Sequence, residues 1–293
     1  MKAFNKELTI LAALIIGFAL TIAGPSSSAI AGSTRPVAKH PIKLIRDAKG
    51  DPIRRKSGEF ESMNWSGYVL PKFITGEHYT AAQATWIVPQ VFFDGIQSAS
   101  SSWIGIGGFC KDTKCGRHQE DKSLIQLGTE QDSFSDTDAQ YYAWYEMLPG
   151  AENQIFSLPV NPGDVITASL SCAAKCNKKT LWTLSMTNET TGDTWSLPVK
   201  YKSSRLSVDV IEEAPFSGGI LPLADFGTAT FSDVTANSAP VNLSQGVSVV
   251  MEDDQGDEGT ESSNVSAPNS SMNGFAACFS DSNALASCID TGS

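Results

Sequence analysis

Glutamate dominates the candidate chemistry of this sequence. Glu146 sits inside an aromatic run, Gln140–Leu148, and Glu212 and Glu213 stand side by side just before Pro215. If both stretches run as strands, side chains alternate between faces. Tyr142, Trp144, Glu146 and Leu148 then share one face. Asp209, Ile211 and Glu213 share another, with Val208, Val210 and Glu212 opposite. A Glu flanked by Trp and Tyr suits a ligand-binding surface. A half-buried strand whose Glu points to solvent is the plain alternative. Periodicity does not choose between Glu212 and Glu213.

Other chemistries have little to work with. The sequence holds no Gly-x-Ser-x-Gly elbow, no His-Glu-x-x-His and no phosphate-binding Gly-x-x-x-x-Gly-Lys. A Ser-His-Asp triad would have to recruit His78 or His118, because His40 falls in a basic leader. Six cysteines form three local pairs, Cys110/Cys115, Cys172/Cys176 and Cys278/Cys288. An even count in an exported chain suggests disulfides and leaves no free thiol nucleophile. No Cys-x-x-Cys pair occurs and the three histidines are scattered, so no metal site and no cofactor are expected. Carboxylate chemistry remains, with an amide as a possible partner.

The elements that must position these groups follow from composition. Lys2 and Lys6, an apolar run from Leu8 to about Ala23 and the small-residue end Ala29-Ile30-Ala31 resemble a signal peptide over residues 1–31. A membrane anchor is the rival reading, but the apolar run is short for a span. Residues 32–56 carry eight Lys/Arg and two Asp, a net of +6, and read as a basic propeptide or leader. Residues 57–293 carry 11 Lys/Arg against 29 Asp/Glu, a net of −18. That acidic body repels phosphate and argues against nucleic acid as a partner. A secreted monomer, free of the membrane after signal removal, is the expectation.

The body reads as one domain of short Val-, Ile-, Thr- and Trp-rich strands. Turn residues separate them, as at Asn161-Pro162-Gly163-Asp164 and Thr191-Gly192-Asp193. Expected strands include Trp65–Leu70, Tyr79–Val88, Ser101–Ile106, Leu124–Leu127 and Leu206–Glu212. No amphipathic helix of three turns is evident. Glu252–Glu261 reads as a solvated acidic loop, or a calcium loop of no standard spacing. Ser262–Ser271 reads as a turn-rich connection. Strands without alternating helices predict an all-β fold, an antiparallel β-sandwich of two packed sheets.

An ordered set of segments resembles the glutamic peptidase (eqolisin) family. It runs through Asn64-Trp65-Ser66-Gly67, Ala84-Thr85-Trp86-Ile87-Val88-Pro89 and Trp103-Ile104-Gly105-Ile106-Gly107. It continues through Leu124-Ile125-Gln126-Leu127-Gly128, Ala143-Trp144-Tyr145-Glu146 and Asn161-Pro162-Gly163-Asp164. It ends with Asp209–Pro215 and Leu223-Ala224-Asp225-Phe226-Gly227. The resemblance implies a concanavalin-like, jelly-roll sandwich with a catalytic Gln and Glu on its concave sheet. Those residues map to Gln126 and, aligned on Ala214-Pro215, to Glu213 rather than Glu212. Trp65, Trp103, Trp144 and Glu146 map to or near the substrate cleft. Two positions depart from the better-known fungal pattern: Gly107 stands where an Asp supports the active-site network, and Met147 where a Trp follows the strand Glu.

The resemblance implies acid endopeptidase activity on protein or peptide substrates. The base would be a carboxylate, since histidine is protonated in acid. The residues themselves leave another class open, a carbohydrate-binding or glycoside-hydrolysing sandwich in which Glu146 and Glu213 serve as acid and base. A family member that has lost catalysis is a third reading, resting on Gly107.

Overall fold

A computed structural model describes residues 37–109, 120–173, 176, 180–252, 261–280 and 288. The strands are β1 (Phe60–Ser62), β2 (Trp65–Pro71), β3 (Ala81–Ile87), β4 (Ser98–Phe109), β5 (Glu120–Ser135), β6 (Asp138–Met147), β7 (Asn153–Gln154) and β8 (Val165–Cys172). They continue as β9 (Thr180–Asn188), β10 (Asp193–Tyr201), β11 (Ser207–Glu213), β12 (Thr228–Ala236), β13 (Ala239–Pro240), β14 (Val247–Glu252), β15 (Glu261–Val265) and β16 (Phe275–Phe279). The one α-helix among the described residues is the single turn Lys72–Thr75. No helix there is long and apolar enough to cross a membrane.

Hydrogen bonding runs through the order β10-β9-β8-β3-β12-β16-β15-β14-β2-β11-β4-β5-β6-β7. Apart from the short parallel pair β1–β14, the ladders are antiparallel. The run folds over on itself. One half, β10 to β15, packs face to face on the other, β14 to β7. Alternation makes this possible: β8 buries Ile166, Ala168 and Leu170 and turns their neighbours outward. Those side chains meet Ile104, Ile106, Ile125, Leu127, Val208 and Val210 from β4, β5 and β11 in the main core. This is the expected two-layer sandwich.

A second apolar cluster lies on the opposite face of β2, β11, β4, β5 and β6. Trp65, Trp103, Trp144, Ile211 and Leu124 form it together with Ile42 and Leu44 from the N-terminal segment. That segment therefore packs onto the sheet. Fully burying two aliphatic side chains contributes about 3–6 kcal/mol, well above the 0–1 kcal/mol of an exposed ion pair.

Several strands differ in extent from the sequence expectation. Leu124–Leu127 lies inside a strand from Glu120 to Ser135, and the strand expected to end at Glu212 includes Glu213. Part of the expected connection Ser262–Ser271 is strand β15, and β16 was not foreseen. Ser263 and Asn264 have little strand propensity, but β14 and β16 flank them and supply their pairing. Cys172–Cys176 and Cys278–Cys288 are disulfides. Residues 1–36, Cys110, Cys115, His118 and residues 253–260 lie outside the described residues.

Candidate active site

Strand register sets three rows of side chains on the face away from the main core. One row crosses β11, β4, β5 and β6 as Asp209, Gly105, Gln126 and Glu146. The next is Ile211, Trp103, Gly128 and Trp144. The third is Glu213, Ser101, Glu130 and Tyr142, with Trp65 on β2 opposite Glu213. Gln126, Glu213, Glu146, Trp65, Trp103 and Trp144 are thus brought to one face, and each is buried. Gly128 permits this packing. A Cβ there would lie 2.5 Å from Trp103 Cβ and 2.9 Å from the Trp144 ring.

The Glu213 carboxylate is gripped from two sides. Trp103 Nε1 donates to Oε2 at 2.8 Å, and Asn64 Nδ2 donates to Oε1 at 2.8 Å. The Ala214 N–H to Asn64 carbonyl bond, at 2.9 Å, ties the Asn64 turn to the end of β11. Burial raises the Glu213 pKa, while His40, Trp103 and Trp65 pull it back without cancelling the rise. Trp65 itself packs edge-on to Trp103, with ring centroids 4.7 Å apart.

Gln126 donates from Nε2 to Glu146 Oε2 at 2.5 Å and to the His40 carbonyl at 3.4 Å. Its Oε1 has no hydrogen-bond partner among the described residues. Glu146 does not point to solvent. Burial pushes its pKa up to about 7; His40 opposes the rise and Glu213 adds to it. Glu212 faces the other way, into the sandwich, where Ser102 Oγ donates to it at 2.5 Å. Glu213, not Glu212, shares the face of Gln126.

Four participants were not foreseen from the sequence. His40, set aside with the leader, is fully buried against this face. Its ring lies on Trp144, and its Nδ1 is 3.2 Å from Glu213 Oε2. Its Nε2 is 3.3 Å from Glu152 Oε2 and 4.0 Å from Glu130. Burial alone would lower the imidazole pKa, but Glu213, Glu152 and Glu130 together raise it well above 6.5. Asn64 bonds the segment directly, donating to the Pro41 carbonyl at 3.0 Å and accepting from the Lys43 N–H at 2.8 Å. Glu130 was readable by alternation, two positions of the same face beyond Gln126. Glu152 lies in the irregular stretch between β6 and β7 and carries no sequence signal.

His40, Glu130 and Glu152 each offer a ligand atom, mutually within 4.8 Å, and could hold a divalent cation. Here the same atoms make the imidazole–carboxylate contacts just described. The face as a whole offers a restrained carboxylate beside the His40 ring and an amide facing the His40 carbonyl, a set able to activate water and polarise a carbonyl.

A sequence model of the Peptidase A4 family matches residues 63–273. Aspergillopepsin-2 from Aspergillus niger is 23% identical over 219 residues, which is 68% of this chain and 73% of that protein. A solved scytalido-glutamic peptidase with a transition-state analogue inhibitor superposes with a TM-score of 0.57 at 22% identity, covering 74% of this chain and 98% of the other. A second eqolisin, SCP-B in complex with the tripeptide Ala-Ile-His, gives a TM-score of 0.54 at 22% identity over the same shares. With the match spanning most of the sandwich, the chain belongs to the Peptidase A4 family, the eqolisins, and is a glutamic endopeptidase.

Proposed function

We propose that the chain is a secreted endopeptidase acting in acid, in which Gln126 and Glu213 together direct one water molecule at a peptide carbonyl. The observation that carries this reading is that both side chains bear on the same residue. Gln126 Nε2 faces the His40 carbonyl, while Glu213 contacts the His40 ring and shares Asn64 with the Pro41 carbonyl. The tripeptide bound by SCP-B supports peptides as substrates.

In the proposed reaction, ionised Glu213 takes a proton from water as the oxygen bonds to the carbonyl carbon. The carbonyl oxygen gains negative charge, and the Gln126 Nε2–H stabilises it. Glu213 then returns the proton to the amide nitrogen as the C–N bond breaks. An amide does not titrate in the working range, so Gln126 keeps its donor in acid. Glu146 holds the amide through the 2.5 Å bond. Residues 1–31 serve as a signal peptide and 32–56 as a propeptide, of which residues 38–44 cover this face before activation.

The test is casein cleavage at acid pH by Glu213→Gln and Gln126→Ala, with and without a chelator. Loss of an oxyanion donor lowers kcat by about 10²–10³, and loss of the base lowers it further. Full activity in both variants would reject the dyad. Loss of activity on chelation would favour a cation held by His40, Glu130 and Glu152 instead.

A further inference from the structure

We infer that the pocket formed by Trp144, Glu130 and Glu152 is a specificity pocket for a planar, positively charged side chain, borne by the residue that supplies the carbonyl of the bond to be cut. This inference rests on the proposed roles of Gln126 and Glu213.

The register of the N-terminal segment is the first argument. Backbone bonds hold it on both sides, as a substrate strand would be held. The Lys39 N–H donates to the Phe216 carbonyl and the Phe216 N–H donates back to the Lys39 carbonyl, both at 2.9 Å. Across the cleft, the Glu152 N–H donates to the Ala38 carbonyl at 3.1 Å, and the Ala38 N–H donates to Glu152 Oε1 at 3.2 Å. These contacts read no side chain, so any extended peptide can adopt them. They place the His40 carbonyl against Gln126 Nε2, and therefore place the His40–Pro41 bond where hydrolysis would occur.

The pocket's chemistry is the second argument. The His40 ring stacks on Trp144 at 3.9 Å with only 4° between planes. An imidazolium gains from a Trp face both as a flat ring and as a cation. Its Nε2 lies between two carboxylates, Glu152 at 3.3 Å and Glu130 at 4.0 Å. Glu130 is 1% exposed, and its Oε2 has no hydrogen-bond partner among the described residues. A buried carboxylate without a cationic neighbour is costly. An occupant lacking positive charge would leave Glu152 without its cationic partner.

Pro41 explains how such a strand can occupy the cleft without being cut. The leaving nitrogen would be a ring nitrogen of fixed φ with no N–H. His40-Pro41 fits the pocket while presenting a poor leaving group.

Two measurements test this on the full chain after acid incubation. In the first, Pro41→Ala is expected to be hydrolysed after His40, giving a new N-terminus at position 41; adding Glu213→Gln should abolish that cut. In the second, peptides differing only at the carbonyl-side position are compared at pH 5. His is expected to exceed Phe in kcat/KM by at least tenfold, and Glu130→Gln or Glu152→Gln should shrink that ratio. An intact 40–41 bond in Pro41→Ala, or a Phe peptide cut as well as the His peptide, overturns the inference provided casein is cleaved. If the unaltered chain cleaves no casein at any acid pH, it is the proposed function that falls.

Discussion

His40 lies flat on Trp144, the two rings 4° from parallel with centroids 3.9 Å apart. One residue comes from the basic N-terminal segment and the other from the middle of β6, 104 positions later in the chain (144 − 40). The contact joins two features that look independent in the sequence, a leader rich in cations and a strand rich in aromatics. Because Glu213 and Glu152 flank the same ring, the stack also couples the segment to the candidate catalytic carboxylate.

Replacing His40 by Ala should weaken the hold of the segment. The stack is worth about 0.5–1.5 kcal/mol and hydrogen bonds to charged groups about 1.5–3 kcal/mol each, with incomplete additivity. A net loss of about 2–3 kcal/mol corresponds to roughly 30- to 150-fold weaker occupancy. The expected outcome is faster cleavage of an added peptide by uncleaved His40→Ala chain than by the unaltered chain at the same pH. Equal rates with both leaders intact would show that Ile42, Leu44 and the backbone bonds hold the segment by themselves.

The pH dependence of that hold has two edges. His40 is raised in place, so its contribution is complete below the ordinary imidazole value and is lost as pH rises through the raised value. Glu152 is lowered, so its contribution is present above the ordinary carboxylate value and is lost as pH falls through the lowered one. The other groups facing the ring are raised: Glu213 from β11, Glu130 from β5 and Glu146 to about 7 from β6. Tyr142 is raised as well and stays neutral throughout. Each raised carboxylate makes the closed cleft less favourable as it ionises on the alkaline side. Occupancy should therefore peak in weak acid and decline on both sides. Protection of residues 38–44 from hydrogen exchange, measured from pH 2 to pH 9, checks this; protection rising steadily to pH 9 would contradict it.

The sandwich was legible because alternation and turn residues are local signals. Val165–Cys172 announces its buried face in its own sequence. Glu261–Val265 does not, because its neighbours impose its strand state. The same division runs through the site. Gln126, Glu146 and Trp144 sit on strands whose alternation can be read, although choosing Gln126 and Glu213 needed the family resemblance. His40, Asn64 and Glu152 sit in turns and an irregular segment. What they touch depends on contacts across 112 to 173 positions, which no periodicity encodes.

Glu212 should make the protein more stable in acid than at neutral pH. It is fully buried on the same face of β11 as Val208 and Val210 and accepts from Ser102 Oγ, and burial pushes its pKa up to about 8, with the Ser102 and Ser100 hydroxyls opposing and Glu213 adding. A raised value means that its contribution is complete below about 4.5 and is lost as pH rises through about 8. One such group costs up to about 1.4 kcal/mol per pH unit within that window. Glu212→Gln keeps an acceptor for Ser102 but cannot ionise. The fall in Tm between pH 5 and pH 8 should become shallower in the variant. The same slope in both proteins would assign the lability to other buried carboxylates, with Asp209 the first to examine.

Restoring the fungal-type carboxylate at position 107 should damage the chain rather than repair it. Gly107 has φ +92°, and a Cβ there would lie 2.0 Å from the Ser123 carbonyl oxygen. The β4–β5 ladder shifts register at this point, between Gly107 and Phe109, so the local backbone is shaped around a residue without a side chain. Carboxylates reach this end of the sheet from elsewhere. Asp209 comes from β11, and Asp121 on β5 accepts from Ser204 Oγ and the Ser123 N–H. Gly107→Asp adds a strained φ and a backbone clash, about 1–3 kcal/mol from each source. The expected result is a Tm lowered by several degrees with no gain in kcat/KM on casein, whereas Gly107→Ala should show most of the same loss. A Gly107→Asp chain with unchanged Tm and higher kcat/KM would mean that the backbone here relaxes to accept the carboxylate.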